Sequence, residues 1–269
     1  MLKERVITAL ILLPIVLWCV FGGVVGAFPM FATVLVLIAA YEWTALMRLA
    51  SYAQRFAFLA VVAFGLAYFQ HQGFNTNTGL LMVVAALGWL VALGWVMRYP
   101  TQAEQWDTPA RMSVIGLLLL LPTWAGLVAL HAQSPWWLMY VLLLVWGADT
   151  GAYFAGRRFG RVKLAPNVSP AKTREGLYGG LVLTSLIIAG VTAYLSLDVV
   201  RSVLFMSISL LTVLASVLGD LFESMAKRRA GIKDSGKIFP GHGGALDRID
   251  SITAAAPVFM AGWWLAGGF

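Results

Sequence analysis

Met112 to Leu130 reads M-S-V-I-G-L-L-L-L-L-P-T-W-A-G-L-V-A-L, nineteen residues without a charge. At about 1.5 Å per residue a helix of this length covers the roughly 30 Å of a bilayer's hydrocarbon core. Lipid offers backbone amides no partners, so a spanning segment must satisfy them within itself, and the run is too long and too uniformly apolar for a barrel strand. Similar runs occupy 6–26, 28–47, 56–70, 78–97, 136–156, 177–197, 201–222 and 251–268, the third being short. The fold class expected is therefore all-α, a polytopic integral membrane protein of about nine transmembrane helices.

Composition leads to the same place. With 60% hydrophobic and 12% charged residues and a mean hydropathy of +0.83, 269 residues hold more apolar surface than one soluble core can hide. The opening M-L-K-E-R before an apolar stretch has the look of a secretory signal, but the eight spans that follow make it a retained first helix. The lone Cys19 lies within an apolar span, so no intramolecular disulfide forms.

Orientation follows from Lys and Arg. With the N-terminus in the cytoplasm, 18 of the 19 Lys/Arg fall inside and only Arg201 outside, and nine spans leave the C-terminus outside. Positive loops against anionic headgroups account for a pI near 9.8 without any nucleic acid.

One domain, 1–269, is the economical count, with 1–135 mainly structural helices and 136–269 carrying the chemistry. In the first part Trp and Tyr often lie near span ends, and His71 and His131 sit in outside loops without ligand partners. Glu42, beside Trp43, is an ionisable group within a span near its cytoplasmic end. It marks a pathway or a buried pair, or it snorkels to the surface. Pairs of glycines four apart, Gly22/Gly26, Gly147/Gly151 and Gly176/Gly180, suit close helix packing.

The later part has two long inside loops. The stretch from Ser224 to Asp250, S-M-A-K-R-R-A-G-I-K-D-S-G-K-I-F-P-G-H-G-G-A-L-D-R-I-D, holds six basic residues and three carboxylates. In a helix Asp220, Glu223 and Lys227 share a face, as do Asp247 and Asp250 at the start of the last span. Asp250-Ser251 also suits a helix cap, and Asp220 an ion pair with a loop arginine. With Asp149 in the sixth span, these form an oxygen-only ligand set beside cations, which favours Mg²⁺ over zinc. Gly231 to Ile238 fits G-x-x-x-x-G-K, but Ile238 replaces the Ser or Thr that a P-loop needs, and no strand precedes it. Gly241-His242-Gly243-Gly244 reads instead as a turn that lets backbone approach an anion, with His242 touching phosphate. Ser169, Lys172 and Thr173, bracketed by Pro170 and Gly176, make a second anion site.

These motifs resemble the phosphatidate cytidylyltransferases, also called CDP-diacylglycerol synthases. The family pattern S-x-x-K-R, K-D-x-G, P-x-H-G-G and D-R-x-D is matched by Ser224, Lys227-Arg228, Lys233-Asp234, Gly236, Pro240, His242-Gly243-Gly244 and Asp247-Arg248-Ile249-Asp250. Ser169 to Gly176 is similar to S-P-x-K-T-x-E-G, and Asp149 to Tyr153 to D-T-x-A-Y. Ala226 and Ala245 depart, standing where a larger side chain is expected. The resemblance covers roughly residues 146–255.

It implies transfer of the cytidylyl group of CTP to phosphatidic acid, giving CDP-diacylglycerol and pyrophosphate for phospholipid synthesis. It also implies Mg²⁺, in some members a monovalent cation such as K⁺, a homodimer, and a bacterial inner membrane with the site facing the cytoplasm. The catalytic residues expected are Asp220, Asp247, Lys227 and Arg248. Substrate would be bound by Ser169, Lys172, Thr173, Ser224, Arg228, Lys233, His242, Gly243 and Gly244. Metal would be held by Asp220 and Asp247, with Asp149, Glu223 and Asp250 as further ligands. Two other readings compete: a CTP-dependent lipid kinase, which would release CDP, and a cation transporter using its intramembrane carboxylates.

Overall fold

A computed structural model describes residues 13–238 and 243–269. Lys3, Arg5 and the start of the first expected span lie outside the described residues, as do Pro240, Gly241 and His242. Helix α1 covers residues 13–21. It is followed by α2 (Ala27–Leu46), α3 (Tyr52–Gln72), α4 (Thr76–Met97), α5 (Pro109–Gln133) and α6 (Pro135–Phe159). A hairpin of β1 (Lys163–Ala165) and β2 (Ser169–Thr173) then leads into α7 (Arg174–Leu195), α8 (Val199–Arg229) and α9 (Leu246–Leu265). Among the described residues seven helices, α2 to α8, are long and apolar enough to cross a membrane. The chain is a helical, multi-pass membrane protein.

Two features differ from the sequence reading. The third span is a full 21 residues, because polar Tyr52 to Arg55 and His71-Gln72 continue the helix beyond its apolar centre. The inside loop after α6 contains an antiparallel hairpin that pairs Lys163 with Thr173 and Ala165 with Ser169. Pro166-Asn167 makes its turn, closed by Val168 N–H donating to Ala165 O at 3.1 Å. Trp43, Trp106 and Trp124 are buried core residues, while Trp136 is exposed. The Trp43 indole donates to Met112 O at 2.9 Å, joining α2 to α5.

The helices alternate in direction. At one end Asp107, between α4 and α5, pairs with Arg48 after α2 at 2.6 Å and with Arg229 at the end of α8. Asn167 in the hairpin turn donates to Tyr99 O at 3.3 Å at that same end. At the other end His131 of α5 bonds Val20 O and stacks on Phe28. There Phe269 also meets Trp137 and Phe205. The α2–α3, α4–α5, α6–α7 and α8–α9 connections, which hold most of the Lys and Arg, thus share one end.

Small residues set two close approaches. A Cβ at Gly151 of α6 would stand 2.5 Å from Gly179 O of α7, and one at Gly219 of α8 would stand 2.4 Å from Asp250 O of α9. The close packing expected of Gly147/Gly151 and Gly176/Gly180 is present where Gly151 meets Gly179 and Gly180, whereas Gly26 faces open space at φ 82° and ends the turn before α2. The Gly219 contact seats Asp220 beside the first turns of α9.

Candidate active site

The charged end of α8 and the start of α9 carry two ion-paired groups. Lys227, in the last turn of α8, reaches Asp247 Oδ1 at 2.5 Å and Glu223 Oε1 at 3.0 Å. All three side chains are largely out of water, with 11%, 7% and 2% exposure for Lys227, Asp247 and Glu223. Asp247 Oδ2 accepts the backbone N–H of Ser235 at 2.9 Å and of Gly244 at 2.8 Å. Among the described residues neither Glu223 oxygen has a hydrogen bond. One turn back on α8, Asp220 Oδ2 faces Lys172 Nζ of β2 at 2.5 Å, and Asp220 Oδ1 accepts from Ser224 Oγ at 3.2 Å. Asp250 Oδ1 accepts its neighbour Ser251 N–H at 2.6 Å, but α9 already begins at Leu246, so Asp250 lies inside the helix and is not the cap that its sequence position allowed.

Beside Asp220 opens a cavity of about 400 Å³ between α6, α7, α8 and the hairpin. Asp149, Tyr153 and Arg157 of α6, Lys172 and Thr173 of β2, and Val217 of α8 line it. Arg157 Nη1 donates to the Tyr153 hydroxyl at 2.9 Å. Apolar wall and a few convergent charges are what a small-molecule site of about 300–1,000 Å³ uses. Asp220, bound to Lys172, joins this cavity to the Lys227 cluster.

The structure brings together Asp149, Lys172, Asp220, Ser224, Glu223, Lys227, Gly244, Asp247 and Asp250. Thr173 lines the cavity with its hydroxyl engaged, since it caps α7 by accepting Gly176 N–H at 3.1 Å. Ser169 begins β2, Arg228 Nε donates to Val168 O at 3.4 Å, Lys233 is exposed on the loop, and Gly243 turns the chain at φ 79°. Arg248 borders a separate apolar cavity of about 180 Å³ with Val16, Phe28 and Trp146. The expected contact of His242 lies outside the described residues.

Two polar groups escaped the sequence reading. Ser235 donates to Asp247 and to Glu42, and Glu175 accepts the N–H of Arg161 and Val162 at the entry to the hairpin. The signal for Glu175 was its place two residues after the helix cap. Ser235 offered none beyond its position in the charged loop. Glu42 is neither exposed nor paired with Lys or Arg among the described residues; it binds the α9 start.

As a metal site the donor set is suitable in kind: carboxylates only, one of them, Glu223, buried and met among the described residues only by the Lys227 ammonium. Among the described residues no three carboxylates converge on a single point. Asp220 and Asp247 instead face ammonium groups, so each site is already arranged to hold a cation.

The cytidylyltransferase family pattern matches residues 3–265. A Pseudomonas aeruginosa protein named phosphatidate cytidylyltransferase is 44% identical, covering 99% of this chain and 98% of its own. A protein of that name from Haemophilus influenzae is 40% identical over 96% of this chain and 97% of its own. A third, from Thermotoga maritima, is 32% identical over 96% and 94%.

Proposed function

The chain belongs to the cytidylyltransferase family, and from that premise we propose that it joins CTP to phosphatidate, giving CDP-diacylglycerol and pyrophosphate. The observation that carries this reading is the Lys172–Asp220 pair, whose lysine lines the 400 Å³ cavity, together with the Lys227–Asp247 pair. A lipid phosphate and a nucleoside triphosphate both need cations, and both need them at the edge of the membrane.

A phosphate oxygen of phosphatidate forms a bond to the α-phosphorus of CTP. The bond from that phosphorus to the bridging oxygen breaks, and pyrophosphate leaves with the electron pair. A phosphate monoester has a second pKa near 6, so the attacking oxygen is already largely ionised and needs no strong base. The carboxylates therefore serve cation binding rather than proton removal. Asp220 and Asp247 would hold Mg²⁺, with Asp149, Glu223 and Asp250 close by, and when bound there the ion supplies charge neutralisation at the transferring phosphorus and the pyrophosphate. Lys172 and Lys227 then turn to phosphate oxygens, and Arg228, Lys233, His242 and Arg248 complete the cationic rim. Ser169, Thr173, Ser224, Gly243 and Gly244 shape its hydroxyl and backbone contacts. As the bond breaks, charge builds on the leaving pyrophosphate oxygens, so cations already arranged around them lower the barrier.

In this reading nine helices span the bacterial inner membrane, with the N-terminus and the charged loops in the cytoplasm and the C-terminus outside. Phosphatidate reaches the cavity from the inner leaflet, since withdrawing its chains into water costs about 0.8 kcal/mol per CH₂. The family resemblance adds a homodimer and a monovalent cation such as K⁺. Purified protein in detergent, given CTP and phosphatidate, should form CDP-diacylglycerol with Mg²⁺ and none with EDTA. Equal turnover under the two conditions would remove the metal from the scheme.

A further inference from the structure

Glu42 lies 193 residues before Ser235 of the charged loop, on α2, and it is buried. Its carboxylate accepts three hydrogen bonds from that loop and the helix after it. Oε1 takes Ala245 N–H at 3.1 Å, and Oε2 takes Leu246 N–H at 2.8 Å and the Ser235 hydroxyl at 3.2 Å. Helix α9 begins at Leu246 after Ala245, which has no side chain to cap it. The first amides of a helix lack intrahelical partners and carry partial positive charge, so a carboxylate there satisfies them and suits the dipole. Glu42 is the N-terminal cap of α9, supplied by another helix.

The same contacts explain two glycines. A Cβ at Gly236 would stand 2.0 Å from Glu42 Oε1, and one at Gly244 would stand 2.4 Å from it. Both arms of the loop therefore close around this one carboxylate, and any side chain at either position would push it out. Ala245 is fully buried against it.

Asp247 is held by the same pieces of chain. Ser235 gives its N–H to Asp247 Oδ2 and its hydroxyl to Glu42, while Asp247 N–H also lies 3.3 Å from the Ser235 hydroxyl oxygen. Gly244, whose approach to Glu42 permits no side chain, donates to Asp247 Oδ2. With Oδ2 fixed in this way, Oδ1 is the oxygen left to face Lys227.

We infer that Glu42 is a positioning residue: it latches the Ser235 and Gly244 arms onto the start of α9 and so fixes the orientation of the Asp247 carboxylate. The inference rests on the function proposed above for its kinetic consequence, while the latch itself is a statement about backbone amides.

Glu42→Gln keeps the shape and replaces one acceptor by a donor, so at least one of the three bonds is lost. The whole enzyme in detergent would be compared with wild type by steady-state kinetics, thermal unfolding and hydrogen exchange read by mass spectrometry. A fall in kcat of about 10–100-fold is expected, the range usual when a group that orients a site ligand is lost. KM for CTP and for phosphatidate should change less than about threefold, the range of context scatter, because no substrate contact is removed. Amide exchange should quicken in peptides covering 232–250 and stay as in wild type elsewhere. Ser235→Ala, which leaves the backbone contacts of Glu42 in place, should lower kcat in the same sense, and the double variant should be no worse than the product of the two would predict, since they share a bond.

Wild-type kcat in Glu42→Gln overturns the inference, and so does an exchange increase spread over all helices, which would make Glu42 a general stabiliser. If Glu42→Gln fails to fold, Ser235→Ala decides, and a wild-type kcat there overturns the route through Ser235. If wild-type protein itself made no CDP-diacylglycerol, the functional reading would fail while the exchange pattern still tested the latch.

Discussion

Lys227→Met should destabilise the protein in a way that a second substitution repairs. The ammonium lies 2.5 Å from Asp247 and 3.0 Å from Glu223, with all three side chains largely out of water. At an effective dielectric constant near 20, each contact is worth about 6 kcal/mol before desolvation is subtracted. Desolvation removes most of that, so the intact triad contributes little, but removing one partner strands the others. The usual cost of breaking a buried pair is about 3–5 kcal/mol. Asp247 keeps two backbone N–H donors, whereas Glu223 has no hydrogen bond among the described residues, so the stranded charge is Glu223. Thermal unfolding in detergent should show a drop on the order of 10 °C, taking about 2–4 °C per kcal/mol. Adding Glu223→Gln should recover at least half of it, because the uncompensated charge is gone. Turnover should stay lost in both variants, since the phosphate-binding ammonium is missing from each. A Lys227→Met protein as stable as wild type, or a double variant less stable than the single, would refute this reasoning.

Asp220→Asn and Asp247→Asn should each lower kcat by about 100–1,000-fold, the scale of losing one preorganised electrostatic group, while Asp234→Asn on the exposed loop should stay within about tenfold of wild type; kinetics at saturating Mg²⁺ checks this. Gly244→Ala should lower both kcat and the unfolding temperature, because its Cβ would stand 2.4 Å from both Glu42 oxygens. Asp107→Ala should reduce stability by only about 0.5–1 kcal/mol, because both of its arginines are partly exposed and water can take its place, with KM for both substrates unchanged. Cysteine labelling in intact cells should find residues placed at 163 and 233 inaccessible to a membrane-impermeant reagent from outside.

Helices were legible in the sequence because lipid leaves them little alternative, and runs such as Met112–Leu130 announce themselves by length alone. The short hairpin was less visible: β1 has three residues, and only Pro166-Asn167 marked its turn. The charged groups that meet in the structure were chosen from local spacing. That method finds Asp220, Glu223 and Lys227 on one helix face but does not reveal that Lys172 is the partner of Asp220 or Lys227 that of Asp247. Those pairings span 48 and 20 residues and depend on how the hairpin and α9 dock against α8. Glu42 shows the same boundary more sharply. Its burial within a span marked it as unusual, but its partners are backbone amides about 200 residues away, and backbone donors leave no trace in side-chain identity. The glycines at 236 and 244 were the nearest thing to a signal, readable only once the carboxylate between them was known.

The most direct test of the central claim follows the phosphorus. CTP labelled at the α-phosphate or at the γ-phosphate is given to the purified protein with phosphatidate and Mg²⁺, and the lipid fraction is counted. Cytidylyl transfer predicts label in the lipid only from the α-position, with γ-label recovered as pyrophosphate. Label entering the lipid from the γ-position, with CDP released, would contradict it.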